Sequence, residues 1–173
     1  MASALKNLST YDDSNIPDAA EMSFGIVVAD WNRDITHALY EACHETLLKH
    51  GAQEDNIKVA QVPGAFELPA GARIIATREK LDVVICLGCV IKGETQHDEY
   101  INNAVATGLM NLSITTGKPF IFGVLTPNTH EQAKDRAGGK HGNKGVEAAV
   151  TALRMAALKA EKPEGQKRIG FGS

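Results

Sequence analysis

Cysteine is nearly absent from this sequence. Cys43, Cys86 and Cys89 are the whole set in 173 residues, a sparse and odd number that excludes the disulfide framework of a small secreted domain. Aromatic residues hold 5% of positions, with Trp31 the single tryptophan. Neither sign of charge prevails, since 18 Lys and Arg face 21 Asp and Glu for a net charge of −3. Bulk charge therefore cannot hold a polyanion, and no nucleic-acid partner is expected. Long apolar runs are missing too, none approaching the roughly 18 residues of a membrane span. The opening MASALKNLSTYDDSN has neither an apolar h-region nor a basic n-region, so a cytoplasmic protein without a membrane partner is expected. No H-E-x-x-H, G-x-S-x-G or G-x-G-x-x-G occurs, and His44-Glu45 with His50 has the wrong spacing for one helix face, so no metal is expected. What is there suits one globular domain, with 43% hydrophobic and 23% charged positions. A chain of this length buries roughly 70% of its unfolded surface and needs no staple.

From Met22 onward, apolar runs of strand length alternate with segments of helical period, each change marked by Gly, Pro, Asp or Asn. Ser23 to Ala29 reads as a buried strand. Ile35, Leu39, Cys43 and Leu47 then share one helix face that ends near His50-Gly51. Ile57 to Val62 is a second strand, Pro63-Gly64 a turn, and Ala65 to about Thr77 a helix. Asp82 to about Cys89 is a third strand. A helix starts near His97 with Ile101, Val105, Leu109 and Leu112 on one side, and stops at Gly117-Lys118-Pro119. Phe120 to Leu125 is the fourth strand. A short helix follows from about Thr129 to Arg136, then a glycine-rich loop, then a helix from Lys144 to about Lys159 with Val146, Val150, Leu153 and Ala157 inward. The prediction is an α/β fold: one domain over residues 1–173, a four-stranded parallel sheet with helices on both faces, a flavodoxin-like three-layer sandwich. Residues 1–20 and a tail from about 162 to 173 are polar enough to be arms. Ligands of such sheets sit beyond the carboxyl ends of the strands, so the loops after each strand are the places to search.

The segment Gly88-Cys-Val-Ile-Lys-Gly93-Glu-Thr95 nearly matches the phosphate loop G-x-x-x-x-G-K-[ST]. Glu94 replaces the lysine that reaches the β and γ phosphates, which disfavours a nucleoside triphosphatase. A helix N-terminus with free N–H groups and the Thr95 hydroxyl survives as a cradle for one phosphate. A plain helix start with Glu94 complementing the dipole reads the same residues equally well. His97 lies two residues on, placed for proton transfer to a substrate anchored one turn away; an exposed histidine without function is the bland alternative. Cys86 and Cys89 have C-x-x-C spacing, yet their odd offset along a strand points them to opposite faces and no second pair completes a zinc site. Buried packing is expected for both. Trp31, at the end of the first strand, is either a platform for a flat ring or packing. Phe66-Glu67 offers a second ring with a carboxylate for polyol hydroxyls, or a solvated acid in a first helical turn. Arg136 to Lys144 sets an arginine fork, two lysines and His141 among three glycines, which suits an anion unless it is a solvated connection.

Taken together, VPGAFELP (62–69), GCVIKGETQHDEY (88–100), FGVLT (122–126) and EQAKDRAGGKHGNKG (131–145) resemble the 6,7-dimethyl-8-ribityllumazine synthases of riboflavin synthesis, over about residues 22–160. The resemblance implies a transferase. It condenses 5-amino-6-(D-ribitylamino)uracil with 3,4-dihydroxy-2-butanone 4-phosphate, releasing phosphate and two waters, with no cofactor. It puts Trp31 against the pyrimidine, where many members have phenylalanine, and Ala65, Phe66 and Glu67 on the ring and ribityl chain. Cys89, Val90 and Ile91 present backbone groups to the pyrimidine. Glu94 and Thr95 match the phosphate cradle, Glu94 through its backbone because many members have a small residue there. His97 matches the proton-transfer residue and Arg136 the phosphate ligand. Phe122 is an aromatic wall supplied by a neighbouring subunit, and Lys144 a uracil contact. The family implies a homo-oligomer built on pentamers, in some members an icosahedral shell, with riboflavin synthase as a further partner. Two readings from other classes stay open on the residues alone: a passive flavodoxin-like ligand-binding module and a structural shell protein.

Overall fold

A computed structural model describes residue 7 and residues 9–161; the expected C-terminal tail lies outside them. Four strands, β1 (Phe24–Ala29), β2 (Ile57–Val62), β3 (Val83–Cys89) and β4 (Phe120–Leu125), form one parallel sheet in the order β2-β1-β3-β4. Its register runs from Phe24↔Ile57 and Phe24↔Val83 to Cys89↔Leu125. Every residue of β1 and β3 is buried, as strands covered on both faces must be, and their unbroken apolar runs reflect it.

The helices α1 (Arg33–Lys49), α2 (Leu68–Arg78), α3 (His97–Thr116), α4 (His130–Asp135) and α5 (Lys144–Ala160) fill two outer layers. Ile26, Val28, Ile85 and Leu87 pack with Ile35, Leu39, Cys43 and Leu47 of α1 and with Ala149, Ala152 and Leu153 of α5. Val27, Val84, Cys86 and Val124 pack on the other face with Leu68, Ala72 and Ile75 of α2 and with Val105 and Leu109 of α3. The alternation of side chains along each strand supplies both sets. It also separates the cysteines as expected, Cys86 joining one layer and Cys89 the other. α1 and α5 approach so closely that a Cβ at Gly145 would run into the Leu39 carbonyl.

Four details depart from the sequence reading. Ala65–Glu67 is a 3-10 turn and α2 proper begins at Leu68, the Pro63-Gly64 entry delaying the helix. The glycine-rich loop is a small antiparallel hairpin of β5 (Ala137–Gly139) and β6 (Gly142–Asn143), its turns made by Gly138 and Gly142 at φ 113° and 82°, values open to glycine. The buried face of α5 is Gly145, Ala148, Ala149, Val150, Ala152, Leu153 and Ala156, while Val146 and Ala157 are only half-buried. Small residues win that face because of the close approach to α1. Finally, residues 9–20 are not a free arm. Ala19 is fully buried, its N–H donates to the His50 carbonyl at 2.9 Å, the Ser9 hydroxyl donates to the Asn143 carbonyl at 3.1 Å, and Tyr11 bonds His50 at 3.1 Å.

Candidate active site

The loops that leave β1, β2 and β3, together with the first turn of α3, enclose a cleft of about 730 Å³. It stands where an open parallel sheet of this strand order puts its ligands, beyond the carboxyl ends at the β1/β3 switch point. Trp31 and Asn32 come from the first loop, Pro63 to Glu67 from the second, Cys89 to Ile91 with Gly93 and Thr95 from the third, and His97, Asp98, Tyr100 and Ile101 from α3.

Three rings stand in solvent at this cleft: Trp31 is 74% exposed, Phe66 59% and Tyr100 71%. Large apolar rings left bare around a concavity mark a binding site rather than packing. The Glu67 carboxylate folds back over Gly64, 3.2 Å from where a Cβ would stand on that glycine, so the absence of a side chain at Gly64 leaves it room. Cys89 reaches the cleft through its backbone. Its thiol sits in the α1/α5 layer, where burial pushes the pKa up to about 12, helped by the Asp34 charge. Burial pushes the Cys43 and Cys86 thiols still higher. With both thiols buried, raised in pKa and on opposite faces of the sheet, Cys86 and Cys89 are packing residues and not a working C-x-x-C pair. Among the described residues no cluster of His, Cys, Asp and Glu suits a metal ion, and no helix is long and apolar enough to cross a membrane.

Between Ile91 and α3 the cleft is bordered by a bare backbone turn. The Gly93 N–H reaches Asp98 Oδ1 at only 3.5 Å, and the His97 N–H turns to the Thr95 hydroxyl at 3.4 Å. The N–H groups of Glu94, Thr95 and Gln96 between them meet no acceptor among the described residues. Consecutive free N–H groups ahead of a helix attract an anion. His97 is the first residue of α3 and is exposed; Glu94 precedes the helix, its side chain outside the cleft lining.

Of the residues singled out in the sequence, the chain thus gathers Trp31, Ala65, Phe66, Glu67, Cys89, Val90, Ile91, Thr95 and His97. It does not bring Phe122, Arg136 or Lys144 to the same cleft. Phe122 is 36% exposed on β4, an edge strand. Arg136 donates from Nη1 to the His141 carbonyl at 2.9 Å and from Nη2 to Glu147 Oε1 at 2.6 Å. Lys144 Nζ holds the other oxygen of Glu147 at 3.1 Å. Asn32, Asp98 and Tyr100 line the cleft without having been assigned a role from sequence. Tyr100 had a readable signal, since it follows His97 by three residues and so shares its helix face.

The sequence profile of the family described as 6,7-dimethyl-8-ribityllumazine synthase matches residues 21–160. Proteins of that name from Cytophaga hutchinsonii and Parabacteroides distasonis are 56% and 52% identical to this chain, covering 91% and 90% of it and 98% and 97% of their own lengths. A third, from Porphyromonas gingivalis, is 49% identical over 91% of the chain and 98% of its own length. With the fold, the cleft and these relatives in agreement, the chain belongs to the 6,7-dimethyl-8-ribityllumazine synthase family.

Proposed function

We propose that the cleft between Trp31 and the Glu94–Gln96 turn is where this chain joins its two substrates. The chain is a transferase that condenses 5-amino-6-(D-ribitylamino)uracil with 3,4-dihydroxy-2-butanone 4-phosphate to give 6,7-dimethyl-8-ribityllumazine, phosphate and two waters. The observation that carries the site is one cleft lined both by exposed rings, Trp31, Phe66 and Tyr100, and by a turn with free backbone N–H groups. The pyrimidine stacks on Trp31, with Ala65, Phe66 and Glu67 on the ring and ribityl chain and the Cys89–Ile91 backbone on the pyrimidine edge. The phosphate takes the N–H groups of Glu94 and Thr95 and the Thr95 hydroxyl.

The chemistry follows from that placement. The amine attacks the ketone and water leaves to give an imine; phosphate departs by β-elimination; the enol tautomerises, and the second amine closes the ring with loss of water. Each step moves a proton, and His97, two residues from the phosphate turn, is the group to move it. Holding two substrates in register supplies up to roughly 7 to 11 kcal/mol in well-oriented systems, so one imidazole suffices.

Arg136, Phe122 and Lys144 enter the site from a neighbouring copy. Support comes from their absence from the lining of the chain's own cleft and from the apolar surface left open on α3, where Met110 and Ile114 are 61% and 72% exposed. The working form in this reading is one lumazine-synthase-like domain per chain in a homo-oligomer built on pentamers, compatible with an icosahedral shell. It acts in the cytoplasm, with riboflavin synthase as the partner that takes the product. Incubation with both substrates tests the reading: fluorescent lumazine and free phosphate in equal amounts support it. Binding of the pyrimidine without turnover returns the chain to a passive binding module.

A further inference from the structure

The turn that follows β1 is held from two sides. Towards β2, the Asp30 and Trp31 N–H groups donate to the Val62 and Pro63 carbonyls at 2.8 and 3.1 Å, continuing the strand pairing past Ala29. Towards β3, pairing stops at Val28↔Leu87. There a side chain takes over, because Asn32 Nδ2 donates to the Cys89 carbonyl at 2.9 Å across 57 residues of sequence. The bond bridges the two strands between which the sheet order reverses.

Asn32 is also the only non-glycine among the described residues with positive φ, at φ 59° and ψ 49°. Asparagine tolerates this left-handed region better than most L residues. It is the N-cap of α1, a position that favours Asn for its capping oxygen, yet its side chain makes no cap bond. Helix capping therefore does not explain it. Trp31, one residue earlier, is 74% exposed, so side-chain packing does little to hold the indole and its direction depends on the backbone beneath it.

We infer that Asn32 is a positioning residue for the pyrimidine substrate: its left-handed turn and its bond to the Cys89 carbonyl fix the chain direction at Trp31 and the backbone direction at Cys89 as one unit. The inference rests on the stacking role given to Trp31, and it adds the device that holds the indole and the Cys89–Ile91 backbone at one separation. Without the bond, the β1–α1 turn and the end of β3 move independently on that side.

Two variants test it. Asn32→Asp keeps the side-chain size and the tolerance of the turn but sets a carboxylate oxygen against a carbonyl oxygen. Asn32→Gly keeps the turn and removes the side chain. Both are read in the ligand-free protein by anisotropy and acrylamide quenching of the single indole, and in turnover by KM for each substrate. The expected result is lower anisotropy and easier quenching, with far-UV circular dichroism unchanged. The KM for ribitylaminouracil rises about fivefold or more, the loss of one hydrogen bond, while that for the butanone phosphate stays within about twofold. Wild-type anisotropy and pyrimidine KM in Asn32→Gly overturn the inference. So does an equal rise in both KM values, or lower anisotropy with an unchanged pyrimidine KM. If Asn32→Asp does not fold, Asn32→Gly decides alone. The stacking role fails separately, when wild-type Trp31 emission does not respond to the lumazine product.

Discussion

The cleft and the Arg136 corner are built on opposite principles. At the cleft, the strand-end backbone groups are paired, Trp31 N–H with the Pro63 carbonyl and the Cys89 carbonyl with Asn32, and the free polar groups are the N–H groups of Glu94, Thr95 and Gln96 in the turn before α3. At the corner, the cationic side chains of Arg136 and Lys144 are each paired with Glu147, and the Arg136 and Glu147 side chains are only 19% and 20% exposed. A neutral N–H facing solvent needs no partner, whereas a half-buried guanidinium without a counter-ion is costly. One region is ready for ligand as it stands. The other keeps its charges satisfied internally and has N–H groups to spare, since two of the five donors of Arg136 are engaged.

The sharpest break between backbone and side-chain roles lies at Cys89. Raising its pKa from the ordinary 9.0 to about 12 lowers the thiolate fraction near pH 8 by about a thousandfold. Native protein should resist alkylation until unfolded, which mass spectrometry of iodoacetamide-treated samples measures. The sign for stability is also fixed. Between pH 9 and about 12 the unfolded thiol ionises while the folded one stays neutral, so stability falls as pH rises through that window.

Next in size is Arg136→Ala, expected to raise KM for the butanone phosphate by the about 1.5 to 3 kcal/mol of a charge-assisted contact and to leave the pyrimidine KM nearly unchanged. Equal effects on both substrates would remove Arg136 from the phosphate. His97→Ala should lower kcat about 10- to 100-fold with ligand affinity retained; a turnover unchanged across pH would remove it from the mechanism. Mixing the two variants before assembly sharpens the comparison further. If cleft and corner meet across copies, about a quarter of random pairings rebuild an intact site, and activity returns; no recovery would mean that both residues act within one chain. Trp31→Ala should weaken the pyrimidine by about 1 to 2 kcal/mol, low in the stacking range because the ring is exposed, while Trp31→Phe keeps most of the affinity. The smallest effect belongs to Thr129→Ala, which removes the hydroxyl that accepts the Gln132 N–H at 3.2 Å and caps α4. A loss of about 1 kcal/mol should appear as a lower Tm with unaltered KM values.

The four strands and the inward face of α1 were legible because buried parallel strands and amphipathic helices leave strong periodic signals. Cys86 and Cys89 could be sent to opposite layers from parity alone. The inner face of α5 was legible only at Val150 and Leu153, because periodicity weighs large side chains and the α1/α5 contact selects small ones at Gly145, Ala149 and Ala152. The β5–β6 hairpin was missed because Ala137–Gly139 and Gly142–Asn143 contain no β-branched or aromatic residue. The docking of residues 9–20 depends on bonds to His50 and Asn143, and polar composition is silent about such partners. Trp31, Phe66, Glu67, Thr95 and His97, named from their chemistry, all line the cleft, while Asn32 left no signal because its features are a backbone angle and a bond to a distant carbonyl.

The late position of α5 in the chain bears on how the protein is made. Ala148, Ala149, Ala152, Leu153 and Ala156 complete one whole layer of the core, yet they are translated after all four sheet strands. Synthesis from Leu125 to Ala160 takes roughly 2 to 7 s. During that interval a nascent sheet can have all its strands while one face is covered by α1 alone, with Ile85, Leu87 and Ile121 short of their α5 partners. The emerging chain therefore offers a defined apolar surface to a ribosome-associated chaperone, and a stop or slow codon placed before residue 144 would prolong that exposure.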